Sequence, residues 1–115
     1  MALVLSREDI QALLKLQPPL VEGAANLDEQ VQANGIDLTL REVAMLECAG
    51  LIPVDNRRRR VSDLTALAFD GMGLIDLIPG PYMVTYNEIV HLPRDVMALA
   101  RPRSSLLRCG ATLNM

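Results

Sequence analysis

Tryptophan is absent and only Phe69, Tyr82 and Tyr86 carry aromatic rings, so the chain lacks the ring surfaces on which nucleic-acid binders stack successive bases. Eleven bases against fourteen acids leave a formal net charge of −3, without the broad basic excess that tracks a phosphate backbone. Long apolar runs are missing too. Asp76 and the Pro79-Gly80-Pro81 break interrupt the most hydrophobic stretch well short of the roughly 20 residues that cross a bilayer. Met1-Ala-Leu-Val-Leu is too short for an export signal and runs straight into the charged Ser6-Arg7-Glu8-Asp9, so a cytoplasmic location is expected. Cys48 and Cys109 are too few for a disulfide framework and have no Cys or His nearby at metal-ligand spacing. Buried, reduced thiols are the expectation. The lone His91 lies in the apolar run Ile89-Val90-His91-Leu92 and reads as a structural histidine.

What is there is one domain's worth of chain, residues 1–115, with half of its residues hydrophobic, enough to bury a core. Its charge is unevenly spread. Residues 1–56 hold nine acids against three bases, whereas the last fifteen hold Arg101, Arg103 and Arg108 and no acid. Ten of the eleven bases are arginine, whose planar fork suits bidentate contact with phosphate. A local site for a small anion in an acidic protein follows better from this order than a surface for a polymer.

Ser6 is a good N-cap for a short helix, with Glu8 and Asp9 in its first turn and Ile10, Leu13 and Leu14 at helical spacing; Pro18-Pro19 ends it. Beyond it the pattern is mostly period two broken by Gly, Pro, Asn and Asp, which predicts an all-β fold. Asn34-Gly35 marks a turn, after which Ile36, Leu38 and Leu40 alternate with Asp37, Thr39 and Arg41. The phase shifts at Arg41-Glu42, predicting a bulge or a move from edge to interior before Val43 and Met45. Leu51 to Val54 and Val61 read as two strands flanking Asp55-Asn56-Arg57-Arg58-Arg59-Arg60. That arginine run is either a solvated loop or charged edge, or a contact for phosphate or an acidic neighbour. Asp70-Gly71-Met72-Gly73 forms a turn, with further strands expected at 74–77, along 82–92 and at 96–100.

The chemistry concentrates in Arg101-Pro102-Arg103-Ser104-Ser105-Leu106-Leu107-Arg108-Cys109-Gly110. Pro102 keeps Arg101 out of a helix, Ser104 reads as an N-cap and Gly110 as a terminator, so one or two helical turns are predicted. Amides at the start of such a turn lack intrahelical partners and sit at the positive end of the dipole. Ser104 and Arg108 share a face with Arg103 at the entrance. The plain alternative is a serine-capped surface turn with solvated arginines. Against it stands the absence of any local acid to relieve repulsion among the bases.

Pro102-Arg-Ser-Ser-Leu-Leu-Arg-Cys-Gly resembles the phosphate-binding motif of dCTP deaminases and of the deoxyuridine triphosphatases most similar to them, especially archaeal ones. Gly35-Ile-Asp-Leu-Thr-Leu resembles that family's early Asp-Leu strand, and Pro79-Gly80 followed by Thr85, Glu88, Val90 and Leu92-Pro93 resembles its middle stretch. Leu5-Ser6-Arg7-Glu8-Asp9-Ile10 resembles its opening helix. The resemblance implies a distorted jelly-roll β-barrel with a short N-terminal helix, assembled as a trimer with active sites between subunits. It implies that Arg103, Ser104, Ser105 and Arg108 bind the triphosphate, that Asp37 stands near the phosphates and their Mg²⁺, and that Glu88 is structural, anchoring the turn before Arg101. The implied reaction is hydrolysis of dUTP to dUMP and pyrophosphate, favoured by the doubled leucine and the Cys-Gly-Ala-Thr-Leu-Asn ending. Deamination of dCTP and a non-catalytic nucleotide-binding or assembly subunit are the alternatives. The family's base-reading hairpin and water-activating carboxylate lie downstream of this motif, so they are expected beyond Met115 and the domain is expected to be incomplete at its C-terminus.

Overall fold

The computed structural model describes residues 3–113. Helix α1 (Arg7–Leu14) starts where its sequence says it should: the Ser6 hydroxyl accepts from the Asp9 N–H at 3.2 Å while the Asp9 carboxylate accepts from the Ser6 N–H at 3.0 Å. This reciprocal box satisfies two amides that a helix start leaves without partners. Ile10 points inward and packs with Leu20, Val21 and Val31, flanked by Leu5, Leu13, Leu14, Ala24, Ile36 and Leu38. Strand β1 (Val21–Glu22) delivers Val21 to that cluster, and a four-residue helix α2 (Leu27–Gln30), capped by the Asn26 side chain, brings in Val31. The period-two reading passed over α2, whose single turn is too short to show a helical repeat.

Around Asn34-Gly35 the chain reverses, Val31 bridging Ile36 and the Gln32 N–H bonding to the Gly35 carbonyl. Strand β2 (Leu40–Leu46) then runs through the middle of a three-stranded antiparallel sheet, between β3 (Leu64–Ala66) and β4 (Tyr82–Tyr86). Ala44 pairs with Ala66 on one side and Met83 on the other. Val43 and Ala44 point to opposite faces and both are buried, as a central strand requires. The register slips between Leu40 and Glu42 against β4, so Arg41 is the extra residue of the expected bulge. A second, two-stranded sheet pairs β1 with β5 (Ile89–Val90), Val21 opposite Val90. His91 extends this pairing through its N–H to the Leu20 carbonyl and its Nε2 at 2.9 Å from Glu22 Oε2, the structural role expected of it.

The fold is mostly β with short helices, and among the described residues the two sheets do not close into a barrel. Several expected strands are absent. Residues 74–77 and 96–100 are irregular and largely exposed, because among the described residues no neighbouring strand lies beside them to complete the backbone hydrogen bonds that define one. The pair flanking the arginine run reduces to a single bridge, Leu51 to Arg60, around a 3₁₀ turn at Asn56–Arg58 capped by Asp55. Arg57–Arg60 are all exposed, as in the solvated-loop reading, with Arg57 paired to Asp55 at 3.2 Å. Cys48 and Cys109 are free but exposed rather than buried. Both follow the end of an element, Cys48 after β2 and Cys109 as the C-cap of helix α3 (Ser104–Arg108), where the backbone has already left the packed layer.

Candidate functional site

Helix α3 forms where Pro102 and Gly110 bracket it, but its cap differs from expectation. Arg103 is the N-cap, in extended backbone and with no side-chain cap bond, so Ser104 is the first helical residue. The first intrahelical bonds run from the Leu106 and Leu107 amides to the Arg103 carbonyl. A hydroxyl at the first helical position does not reach back as a cap does, so the serine and amide donors stay on the surface beside the arginines. At the other end Gly110, at φ +82°, closes the helix: its N–H bonds to Leu107 O and the Ala111 N–H to Leu106 O. This is the left-handed terminator for which glycine is suited.

Arg103 and Asp37, read from opposite ends of the sequence, meet: Nη1 lies 3.3 Å from Asp37 Oδ2. The same carboxylate oxygen accepts from Gln32 Nε2 at 3.1 Å. The last fifteen residues hold no acid, yet the fold supplies Arg103 with one from 66 positions away. Ser104, Ser105 and Arg108 are exposed along α3 next to this pair in sequence, and Arg101 lies just before it. An open cleft of about 460 Å³ borders the helix on its Leu107 side, lined by Leu99, Ala100, Arg101, Pro102, Thr112 and Leu113. Of the arginines and serines of this segment, Arg101 alone lines it. The cleft adjoins the arginine segment without enclosing it.

Asp37 is held from below by a buried polar network. Its N–H donates to the Gln30 carbonyl at 2.8 Å, and its carbonyl accepts from Gln30 Nε2 at 2.9 Å. Gln30 Nε2 also donates to Glu88 Oε1 at 2.8 Å, and Gln30 Oε1 accepts from the Asn26 N–H at 2.9 Å. Glu88 takes two more bonds from Thr39, from Oγ1 to Oε1 at 2.6 Å and from N–H to Oε2 at 2.9 Å. Burial pushes the Glu88 carboxyl up, but these donors outweigh it, with Thr39 foremost, and hold it below its ordinary range. Glu88 is therefore structural, but it anchors Thr39 and Gln30 rather than the turn before Arg101. Gln30 and Gln32 escaped the sequence reading. Nothing in the polar run Asp28-Glu29-Gln30-Val31-Gln32 distinguishes a buried amide from a solvated one.

A hard divalent cation finds no ready-made cage: among the described residues no group of three or more His, Cys, Asp or Glu is placed to hold one. Asp37 offers one carboxylate, enough for a single contact to a hard cation that keeps most of its waters and too few for a protein cage. Among the same residues no helix is long and apolar enough to cross a membrane.

A sequence profile for dCTP deaminase-like proteins matches residues 4–115. The chain is 48% identical over 110 residues to a probable deoxyuridine 5'-triphosphate nucleotidohydrolase of Methanosarcina mazei, covering 96% of this chain and 64% of that protein. It is 44% identical over 110 residues to a probable enzyme of the same name from Methanococcoides burtonii, covering 96% of this chain and 65% of that protein. The Archaeoglobus fulgidus protein of that name is 40% identical over 110 residues, again 96% and 64%. The chain thus spans somewhat less than two thirds of these relatives' length. No solved structure matches it.

Proposed function

Because the chain belongs to the dCTP deaminase-like family, we propose that it is the phosphate-binding portion of a dUTP diphosphatase, acting on dUTP and water to release dUMP and pyrophosphate. The observation that carries the choice of reaction is the likeness to archaeal proteins bearing that name, sustained over 110 residues. The geometry supports where the substrate lies: Arg103, Ser104, Ser105 and Arg108 present guanidinium, hydroxyl and amide donors around one short helix, with Asp37 at its entrance. Such donors bind a triphosphate and stabilise charge that develops as the phosphoanhydride bond breaks. Mg²⁺ carried by the triphosphate would neutralise its oxygens, with Asp37 as the protein carboxylate beside it. None of the described residues is assigned as the group that activates water.

The architecture proposed for the working protein is the distorted jelly-roll barrel, residues 1–115 forming part of a single domain, assembled as a homotrimer in the cytoplasm with sites between subunits. The exposed apolar side chains of Ile52, Val54, Val61, Met97 and Leu99 are consistent with surfaces covered in such an assembly. The family description also favours a second reading, deamination of dCTP. Full-length protein incubated with Mg²⁺ and dUTP, and separately with dCTP, decides by ion-exchange analysis of products. dUMP and pyrophosphate from dUTP are expected. dUTP formed from dCTP establishes the deaminase, and dCTP giving dUMP a bifunctional enzyme; no turnover of either leaves a binding or assembly subunit and overturns the proposal.

A further inference from the structure

We infer that Gln30, locked by Glu88 and Thr39, is a positioning residue that fixes Asp37 and through it aims Arg103; this rests on the phosphate-site reading above. Both backbone polar groups of Asp37 are engaged by the one residue Gln30, N–H to its carbonyl at 2.8 Å and carbonyl to its Nε2 at 2.9 Å. Gln30 is itself buried, and both ends of its amide are bonded, since Oε1 accepts from the Asn26 N–H and Nε2 also donates to the buried Glu88. Glu88 is fixed in turn by two bonds from Thr39, two residues beyond Asp37 on the same segment. Asp37 is thus clamped on both sides, while its side chain reaches the surface and meets Arg103 at 3.3 Å.

The consequence is specific to the guanidinium. Arg103 is otherwise a long, solvated side chain, 72% exposed, whose rotamers scatter in water. A fixed carboxylate near its head narrows that scatter, so less order remains to be imposed when a phosphate binds. A loose Asp37 loses this effect even if the fold survives.

The test measures affinity of the full-length protein for inorganic tripolyphosphate with Mg²⁺ in a double-mutant cycle of Gln30→Met and Arg103→Ala. Gln30→Met is expected to weaken binding on the order of twofold to fivefold in the wild-type background, the most that an exposed pair of about 1 kcal/mol can transmit, and not at all in Arg103→Ala, because neighbours acting through one contact are not additive. Asp70→Ala, which loosens the exposed turn at 70–74 by removing the acceptor of the Met72 and Leu74 amides, serves as a control and should leave this affinity unchanged. Should Gln30→Met fail to fold, Thr39→Val replaces it, removing one bond to Glu88 with the same expected coupling. Equal losses in both backgrounds, or no loss from either variant, overturn the positioning role while leaving the phosphate site intact. An Arg103→Ala protein that binds tripolyphosphate as the wild type does overturns the phosphate-site reading itself, and the inference with it.

Discussion

Replacing Glu88 with glutamine tests the structural heart of the site with the least change in shape. The wild-type carboxylate accepts three bonds, from Gln30 Nε2, Thr39 Oγ1 and the Thr39 N–H, and needs no donor of its own. A glutamine must place an NH₂ at one of the two oxygen positions. At the Oε1 position it would face the Gln30 amide, a donor already anchored through Oε1 to Asn26; at the Oε2 position it would face the Thr39 N–H. Either way one bond becomes a donor–donor contact in a buried place, and the others lose their charge assistance. Bonds to charged groups contribute about 1.5–3 kcal/mol each and an orphaned buried donor costs about 1–3 kcal/mol, so a net loss of about 2–3 kcal/mol is expected. Urea unfolding at fixed protein concentration measures it. The pH dependence supplies an independent check. A carboxyl held below its ordinary range in the folded state stabilises fully above its unfolded value, about 4.3, and loses that contribution as pH falls through the lower folded value. The gap between wild type and Glu88→Gln should therefore be constant near neutrality and shrink below about pH 4. A gap under about 0.5 kcal/mol at neutral pH, the range of ordinary surface changes, or one that widens in acid, refutes the reasoning.

Three further outcomes follow from single contacts. Arg108→Ala should weaken binding of Mg²⁺·dUTP by roughly tenfold or more, as loss of a charge-assisted contact predicts, while deoxyuridine affinity stays unchanged in the same calorimetric titration. Ser6→Ala removes one half of the α1 capping box and should lower stability by about 1 kcal/mol in urea melts. Gly110→Ala forces a side chain into φ +82°, which costs about 1–2 kcal/mol; since α3 is exposed, the effect should appear as faster amide exchange at Leu106–Ala111 rather than as a large shift in the global melt.

Local chemistry was legible in the sequence and distant pairing was not. Ser6 with Asp9, the Asn34-Gly35 reversal, the bulge at Arg41, the Asp70 turn and the Gly110 terminator each depend on residues a few positions apart, so propensity and side-chain reach decide them. The strands expected at 74–77 and 96–100 failed for the opposite reason. Leu74 and Leu77 in one segment and Met97 and Leu99 in the other are apolar, but a strand exists only beside a partner, and composition does not say whether one is there. In the arginine segment the candidate residues stand out by type alone, whereas Ser104, expected as the N-cap, is the first helical residue because the extended backbone at Arg103 takes the cap position. Gln30 and Gln32 act entirely through contacts that the fold creates, and an uncharged amide leaves no trace in charge or hydropathy patterns.

The Asp37–Arg103 pair looks at first like an obstacle to anion binding, since it neutralises one of the three arginines near α3. Magnitudes decide otherwise. An exposed pair at 3.3 Å, with Arg103 largely in solvent, contributes about 0–1 kcal/mol. A phosphate contacted by a guanidinium fork with additional hydroxyl and amide donors gains several charge-assisted bonds at once. The pair therefore yields readily, or keeps one guanidinium N–H while the rest turn to phosphate, since arginine carries five donors. What it contributes without ligand is order: Arg103 is kept at the mouth of α3 instead of sweeping solvent, and repulsion from Arg101 and Arg108 is partly offset. Among the described residues no carboxylate pairs with those two arginines, so the segment keeps three guanidinium groups against one carboxylate and an excess of positive charge on an otherwise acidic chain. On the phosphate-site proposal, a weak internal pair beside two bases that no described carboxylate pairs with would let an anion bind without first breaking a strong contact.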